Sequence, residues 1–167
     1  VLDGGHDEQT KDVFDSLMHP RLEKLRMSEN MGPYACRNAA FKATRTPFHF
    51  YLDADDVLPP NAISSILDTA RQIPAADVII GDIELFGAKQ GIQHVPPPDC
   101  TDIISSATRI PGGGCAYRVR LWEQLGGYSM QLSAGGGDFD FHLGALEANA
   151  KYVHCGAITY RYRQRKG

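Results

Sequence analysis

The sequence has no apolar run long enough to cross a bilayer, which takes about 20 consecutive apolar residues. Its start carries no secretory signal pattern, although it opens inside a motif, so this says little. Cysteine is sparse. Cys36, Cys100, Cys115 and Cys155 are widely scattered and form no C-x-x-C pair. That argues against a zinc site or a disulfide frame and fits reduced thiols in a cytosolic setting. Neither sign of charge dominates, and the formal net charge of −3 gives no reason to expect a general nucleic-acid binder. Internal repeats, low-complexity tracts and domain-splitting linkers are also missing. What is left, over 167 residues, suits one globular domain of ordinary size.

Within that frame one stretch stands out. The aromatic run Phe48-His49-Phe50-Tyr51-Leu52 ends abruptly in Asp53, Asp55 and Asp56. Bounded by Pro47 and Pro59, the run reads as a buried strand. Three acids at a strand end repel one another and are costly to desolvate. A hard cation such as Mg²⁺ or Mn²⁺ removes that cost, because it prefers carboxylate oxygens and shares them with substrate phosphates. Ligands of open α/β sheets bind at the carboxyl ends of strands. The competing reading is a turn in which Asp caps the next helix.

The rest of the chain alternates helix and strand. Residues 1–5 read as a strand end and a tight turn. Residues 10–19 form an amphipathic helix with Val13, Phe14, Leu17 and Met18 on one face, stopped by Pro20. A short strand is expected near 22–27 and a helix over 33–44, with proline in its first turn. Residues 60–73 form a helix with Ile63, Ile66, Leu67 and Ala70 inward, and 77–81 a buried strand. This order predicts an α/β sheet with mostly parallel strands. Residues 87–103 read as a long surface loop. Gly112-Gly113-Gly114 marks a hinge or a close approach. A strand over 115–119, a short helix over 121–125 ended by Gly126-Gly127, a second glycine loop over 133–137, a helix over 138–150 and one or two closing strands follow. The tail from Arg161 is basic.

Asp138 follows three glycines and opens a helix, where the macrodipole favours its ionised form. A carboxylate so placed suits a general base, and equally a plain cap. Asp140 reads as a first-turn acid. His142, one turn beyond Asp138, reads as structural before catalytic. Asp3, at a strand end, suits contact with a ribose or base edge, or simply a turn. Arg37 suits bidentate contact with phosphate and Asn38 a polar turn contact, or both are surface residues.

Five segments carry a resemblance when taken together: residues 1–7 (Val-Leu-Asp-Gly-Gly-His-Asp), 32–38 (Gly-Pro-Tyr-Ala-Cys-Arg-Asn), 50–56 (Phe-Tyr-Leu-Asp-Ala-Asp-Asp), 125–128 (Leu-Gly-Gly-Tyr) and 137–140 (Gly-Asp-Phe-Asp). In this order, across nearly the whole chain, they resemble glycosyltransferase family 2. The resemblance implies a GT-A fold, a three-layer α/β/α sandwich, as a single domain over 1–167. It implies a metal-dependent, inverting transfer of a sugar from a nucleotide-sugar donor to a hydroxyl acceptor. Asp3, Arg37, Asn38 and Asp53 would serve the donor, Asp55 with Asp53 a Mg²⁺ or Mn²⁺ ion, and Asp138 would be the base. Polysaccharide or glycolipid assembly is the expected setting, at a cytoplasmic site, at most peripheral to the membrane.

Two departures qualify the match. Gly5 replaces the usual residue after the first glycine, and Gly137 replaces the Glu that often precedes the base. The family also begins with a strand and helix upstream of the position of Val1, so the chain reads as lacking its first βα unit, with self-association as an expected consequence. Two rivals remain: a catalytically silent remnant that binds nucleotide or a protein partner, and a metal-dependent nucleotidyltransferase or phosphohydrolase.

Overall fold

Proline and glycine set several element ends in the computed structural model, which describes residues 7–98, 107, 110–132 and 135–165. The expected strand end at residues 1–5, with Asp3, and Cys100 lie outside the described residues. Asp7 caps the first helix, α1 (Glu8–Ser16), by accepting from the Thr10 amide at 2.7 Å. Residues 22–27 form no strand; Arg26 alone makes an isolated bridge. Helix α2 (Pro33–Ala43) starts with proline at its first position, after Gly32 at φ 82°. Strand β1 (Phe48–Phe50) is shorter than the apolar run, and the chain leaves the sheet at Tyr51.

Helix α3 (Ala62–Gln72) departs from expectation. Ala62 and Ile66 are buried, but Ile63 and Leu67 are more than two-fifths exposed. The helix packs on the sheet through a stripe narrower than its apolar face. Strand β2 (Val78–Gly87) runs well past the predicted five residues. It turns back through β3 (Gly91–Gln93), so a hairpin stands where a long loop was expected. Strand β4 (Ala116–Arg118) leads into α4 (Val119–Leu125), which ends at Gly126 in the left-handed conformation. Helix α5 (Gly137–Glu147) and one long strand, β5 (Tyr152–Gln164), close the fold.

The sheet is mixed. β5 lies parallel along the whole of β2, so β4 and β3 follow one another along its opposite edge, both antiparallel to it. β1 pairs antiparallel with β4. Thus β1, β2 and β5 share one direction, while the strand between β1 and β2 runs against them. Helix order alone hides such an inserted strand, which needs no crossover of its own. The main core is aromatic: Phe41 stacks on Trp122 at 5.2 Å, and Tyr117 packs edge-on to Phe141 at 5.4 Å.

Cys115 and Cys155 are free thiols. No helix among the described residues is long and apolar enough to cross a membrane.

Candidate functional site

One face of α2 carries Tyr34, Arg37, Asn38 and Phe41, the i, i+3, i+4, i+7 stripe that normally faces a core. Its ends are apolar and buried, but its middle is polar. A guanidinium held in such a stripe needs partners, and Arg37 has them on two other elements. Its Nη2 donates to both carboxylate oxygens of Asp53, at 3.1 and 3.2 Å, on the loop after β1. Its Nη1 donates to Asp138 Oδ1 at 3.0 Å, in the first turn of α5. The guanidinium carbon lies 4.0 Å from the centre of the Tyr51 ring. Only 13% of the Arg37 side chain is exposed.

The electrostatics follow from this packing. Burial works against the charge of Arg37, but Tyr51, Asp138 and Asp53 outweigh it and raise its pKa. Burial raises the pKa of Asp138; Arg37 opposes that shift and Asp53 adds to it. Asp138 is thus a stronger base than an exposed aspartate, while its guanidinium partner keeps the ionised form accessible. Gly112 closes in beneath it: a Cβ there would overlap the Asp138 carboxylate and lie 3.2 Å from Tyr51 Oη. The hinge glycines of the sequence are a close-approach floor.

Strand β5 anchors the acid loop. Val57 and Arg161 exchange backbone bonds at 3.0 and 2.9 Å. The Asp53 amide donates to Tyr160 Oη at 3.1 Å, and the Arg163 amide to Asp56 Oδ1 at 2.7 Å. Asp55 Oδ2 accepts from Arg165 at 2.6 Å. The three acids therefore diverge: Asp53 to Arg37, Asp55 to Arg165, and Asp56 inward, where its buried Oδ2 has no hydrogen-bond partner. No group of three Asp, Glu, His or Cys side chains converges as a ready-made metal cage among the described residues.

Two clefts meet at the Arg37–Asp53 pair. One, about 360 Å³, lies over Pro33, Cys36, Ala40 and the Phe50–Ala54 stretch. The other, about 250 Å³, is walled by Asp56, Gly112, Asp138, Tyr160 and Gln93 of the β3 hairpin. A ligand spanning both would run past the guanidinium and bring its far end to Asp138.

Asn38 sits beside this centre with its polar atoms committed to the fold. Its Oδ1 accepts from the Tyr128 amide at 2.9 Å and from Trp122 at 3.3 Å, and its Nδ2 donates to the Tyr128 carbonyl at 2.9 Å. It holds the Gly126-Gly127-Tyr128 turn. His142 is fully buried between Tyr117 and Tyr152 hydroxyls, at 3.3 and 2.9 Å, and burial lowers its pKa to about 4. Asp140 is exposed. Tyr51, Tyr160 and Gln93 were absent from the sequence-based candidates. Aromatic residues flanking the acid run were the available signal for Tyr51; nothing local marks the other two.

Comparison with known proteins adds a family. A family model described as "Glycosyl transferase family 2" matches residues 1–119. The chain is 24% identical, over 98% of its length, to a teichoic acid poly(glycerol phosphate) polymerase of Staphylococcus epidermidis. It is 26% identical, over 54% of its length, to the minor teichoic acid biosynthesis protein GgaA of Bacillus subtilis. It spans 24% and 21% of those curated relatives. The structure superposes on S. aureus TarS 1–349 in complex with UDP-GlcNAc with a TM-score of 0.79, at 19% identity, over 100% of this chain and 49% of that one. The TarS 1–349 complex with UDP gives 0.77 at 18% identity, over 98% of this chain and 50% of that one. At such identity the likeness shows the fold alone, and the fold is that expected of a GT-A domain.

Proposed function

Since the chain belongs to glycosyl transferase family 2, we propose that the two clefts on either side of Arg37 bind a nucleotide-sugar and that Asp138 activates an acceptor hydroxyl for inverting transfer. The single observation that carries this reading is Arg37 bridging Asp53 and Asp138. One guanidinium ties the acid loop to the first turn of α5, so the donor end and the base end of the site share one anchor. Asp138 takes the proton of the acceptor hydroxyl as its oxygen attacks the anomeric carbon and the bond to the diphosphate breaks. The nucleoside diphosphate leaves, and one displacement inverts the centre. Asp3, Arg37, Asn38 and Asp53 form the donor side, Asn38 through the turn it holds.

The acid loop offers carboxylate oxygens, the donors a hard divalent cation prefers; Asp53 and Asp55 are paired with Arg37 and Arg165 and would have to leave these partners to share an ion. Asp55 and Asp53 would hold Mg²⁺ or Mn²⁺. Such an ion stabilises the leaving diphosphate as a Lewis acid. The likeness to proteins of teichoic acid synthesis supports a hydroxyl acceptor on a polyol-phosphate polymer; a lipid-linked sugar acceptor and a cytoplasmic site belong to the same reading. Residues 1–167 then act as one GT-A-like domain.

The test is product analysis with the full-length protein. Incubation with a panel of sugar nucleotides, Mn²⁺ and polyol-phosphate acceptors is expected to release nucleoside diphosphate only when acceptor is present. Release of pyrophosphate or of nucleoside monophosphate would point instead to nucleotidyl transfer or phosphohydrolysis. Donor binding without any turnover would favour a silent binding module. Calorimetry adds the metal: a nucleoside diphosphate is expected to bind more tightly with Mn²⁺ than with EDTA, and Asp55→Ala to remove the difference.

A further inference from the structure

Among its described residues, the segment that delivers Asp138 is held locally by one backbone bond, from the Gly135 amide to the Leu132 carbonyl at 3.0 Å. Gly135 and Gly136 have positive φ, 139° and 82°, and a Cβ at either would meet no atom within 4 Å. Gly136 caps α5 but offers no side chain, so the first amides of the helix lack a local acceptor. The acceptor comes from α2 instead. Tyr34 Oη takes the Gly137 amide hydrogen at 3.0 Å, in a buried contact. The Tyr34 ring lies so close that a Cβ on Gly137 would stand 2.8–3.0 Å from three of its carbons. One turn along the same helix, Arg37 holds the carboxylate of the next residue.

The geometry points to Tyr34 as a positioning residue for the base: its hydroxyl caps α5 from another helix and, with Arg37, fixes where Asp138 stands. This rests on the glycosyl-transfer reading of the site. Glycine at 137 is part of the same device, since any side chain there would displace the Tyr34 ring. The glutamate common at that position in the resembled family would therefore be incompatible with Tyr34 as it stands. A base on a glycine-rich loop, free to wander by an ångström, loses most of its advantage. Two anchors from one rigid helix remove that freedom.

The test is Tyr34→Phe in the full-length protein, which removes the hydroxyl and keeps the ring. The expected result is a kcat about 10-fold lower, with donor KM and the Mn²⁺-dependent affinity for nucleoside diphosphate within 2-fold of wild type. Amide hydrogen exchange at Gly137 is expected to quicken in the same variant. A merely structural tyrosine would lower the melting temperature and leave kcat per folded molecule untouched, and that outcome overturns the proposal. So does a loss of donor affinity that matches the loss of turnover. If the wild type transfers no sugar, the enzyme reading fails by itself; exchange at Gly137 still decides the anchor, and unchanged exchange in Tyr34→Phe overturns it.

Discussion

Helices α1 and α2 both carry apolar residues at helical spacing, yet they end in opposite circumstances. In α1 no residue is buried; Val13 is 58% exposed, Leu17, just past its end, 49% and Met18 85%. What holds it is local: the Asp7 cap, the Lys11–Glu8 pair, and Lys24 and Arg26 reaching back to Asp15 and over the Phe14 ring. In α2 the inward stripe buries Tyr34 and Phe41 and places Arg37 and Asn38 between them. Apolar spacing says which face a helix offers, and not whether anything covers it. Polar residues in the middle of an inward stripe say more, because burying them is justified only by partners. Arg37 and Asn38 find theirs on the β1 loop, α5 and the turn after α4, which is how one helix organises a site assembled from distant sequence.

The largest effect that would sharpen this contrast concerns the base. Asp138→Asn keeps shape but cannot accept a proton. Turnover of the full-length protein is expected to fall by roughly 10²-fold or more, with donor binding nearly intact. Asp140→Asn, on the exposed side of the same turn, is expected to change turnover little. Because burial holds the Asp138 pKa above the ordinary aspartate value of 3.8, the acid limb of kcat/KM should lie above that pH, with activity lost as pH falls through it. An Asp138→Asn enzyme with near-normal turnover would move the base elsewhere.

The next effect is on stability and comes from the core beneath the site. His142 is fully buried and its pKa is lowered from 6.5 to about 4. Between those values the unfolded chain binds a proton that the folded chain refuses. The stability tied to neutral His142 is complete above pH 6.5, drains away as pH falls toward 4, and changes no further below. The full swing is on the order of 3 kcal/mol. His49, stacked on Phe41 and also lowered to about 4 by burial, acts in the same direction. Urea melts at pH 7 and pH 4.5 should differ accordingly, and the slope should flatten in His142→Asn. Equal stability at both pH values would mean that the imidazole is hydrated in the folded protein.

Much of this site was legible in the sequence, for reasons that differ by residue. The acid run after β1, the proline-started α2 and the glycine before Asp138 are local signals, and the structure brings Asp53 and Asp138 each within hydrogen-bond distance of Arg37. Asp3 lies outside the described residues. The divergence of Asp53, Asp55 and Asp56 was not legible, since Arg37 of α2 draws the first, while Arg163 on β5 and Arg165 just past its end, more than a hundred residues away, hold the other two. The strand over 115–119 was legible as β4, but its antiparallel direction was not, because that is fixed by the partners on its two sides. The β2–β3 hairpin was hidden because β3 is three exposed residues whose partners alone make it a strand.

That hairpin is the intermediate case between α1 and α2. Its edge is tied down by one carboxylate: Asp82 on β2 accepts from the Val95 amide at 3.0 Å, from His94 at 2.8 Å and from His154 on β5 at 3.1 Å. Burial alone would raise the Asp82 pKa, but these bonds lower it. Its contribution is therefore present above pH 3.8 and lost as pH falls through its depressed folded value. Asp82→Asn is expected to cost about 1–2 kcal/mol and to speed amide exchange at Val95. Because Gln93 walls the second cleft, acceptor KM should rise before donor affinity changes. Unaltered exchange at Val95 would show that the hairpin holds without the carboxylate.

The smallest effect belongs to α1. Replacing Val13, Leu17 and Met18 together by serine removes three apolar side chains that are 58%, 49% and 85% exposed. Substitutions away from buried or bonded groups usually change stability by no more than about 0.5 kcal/mol each. The three together should therefore cost at most about 1.5 kcal/mol, a shift of a few degrees in the melting midpoint. The same face, uncovered, favours association, so light scattering should detect self-association of the parent chain and less of it in the triple variant. A fall of many degrees in the melting midpoint would break the comparison. It would mean that α1 is covered in the folded protein much as α2 is, and that its apolar stripe has a partner within the fold.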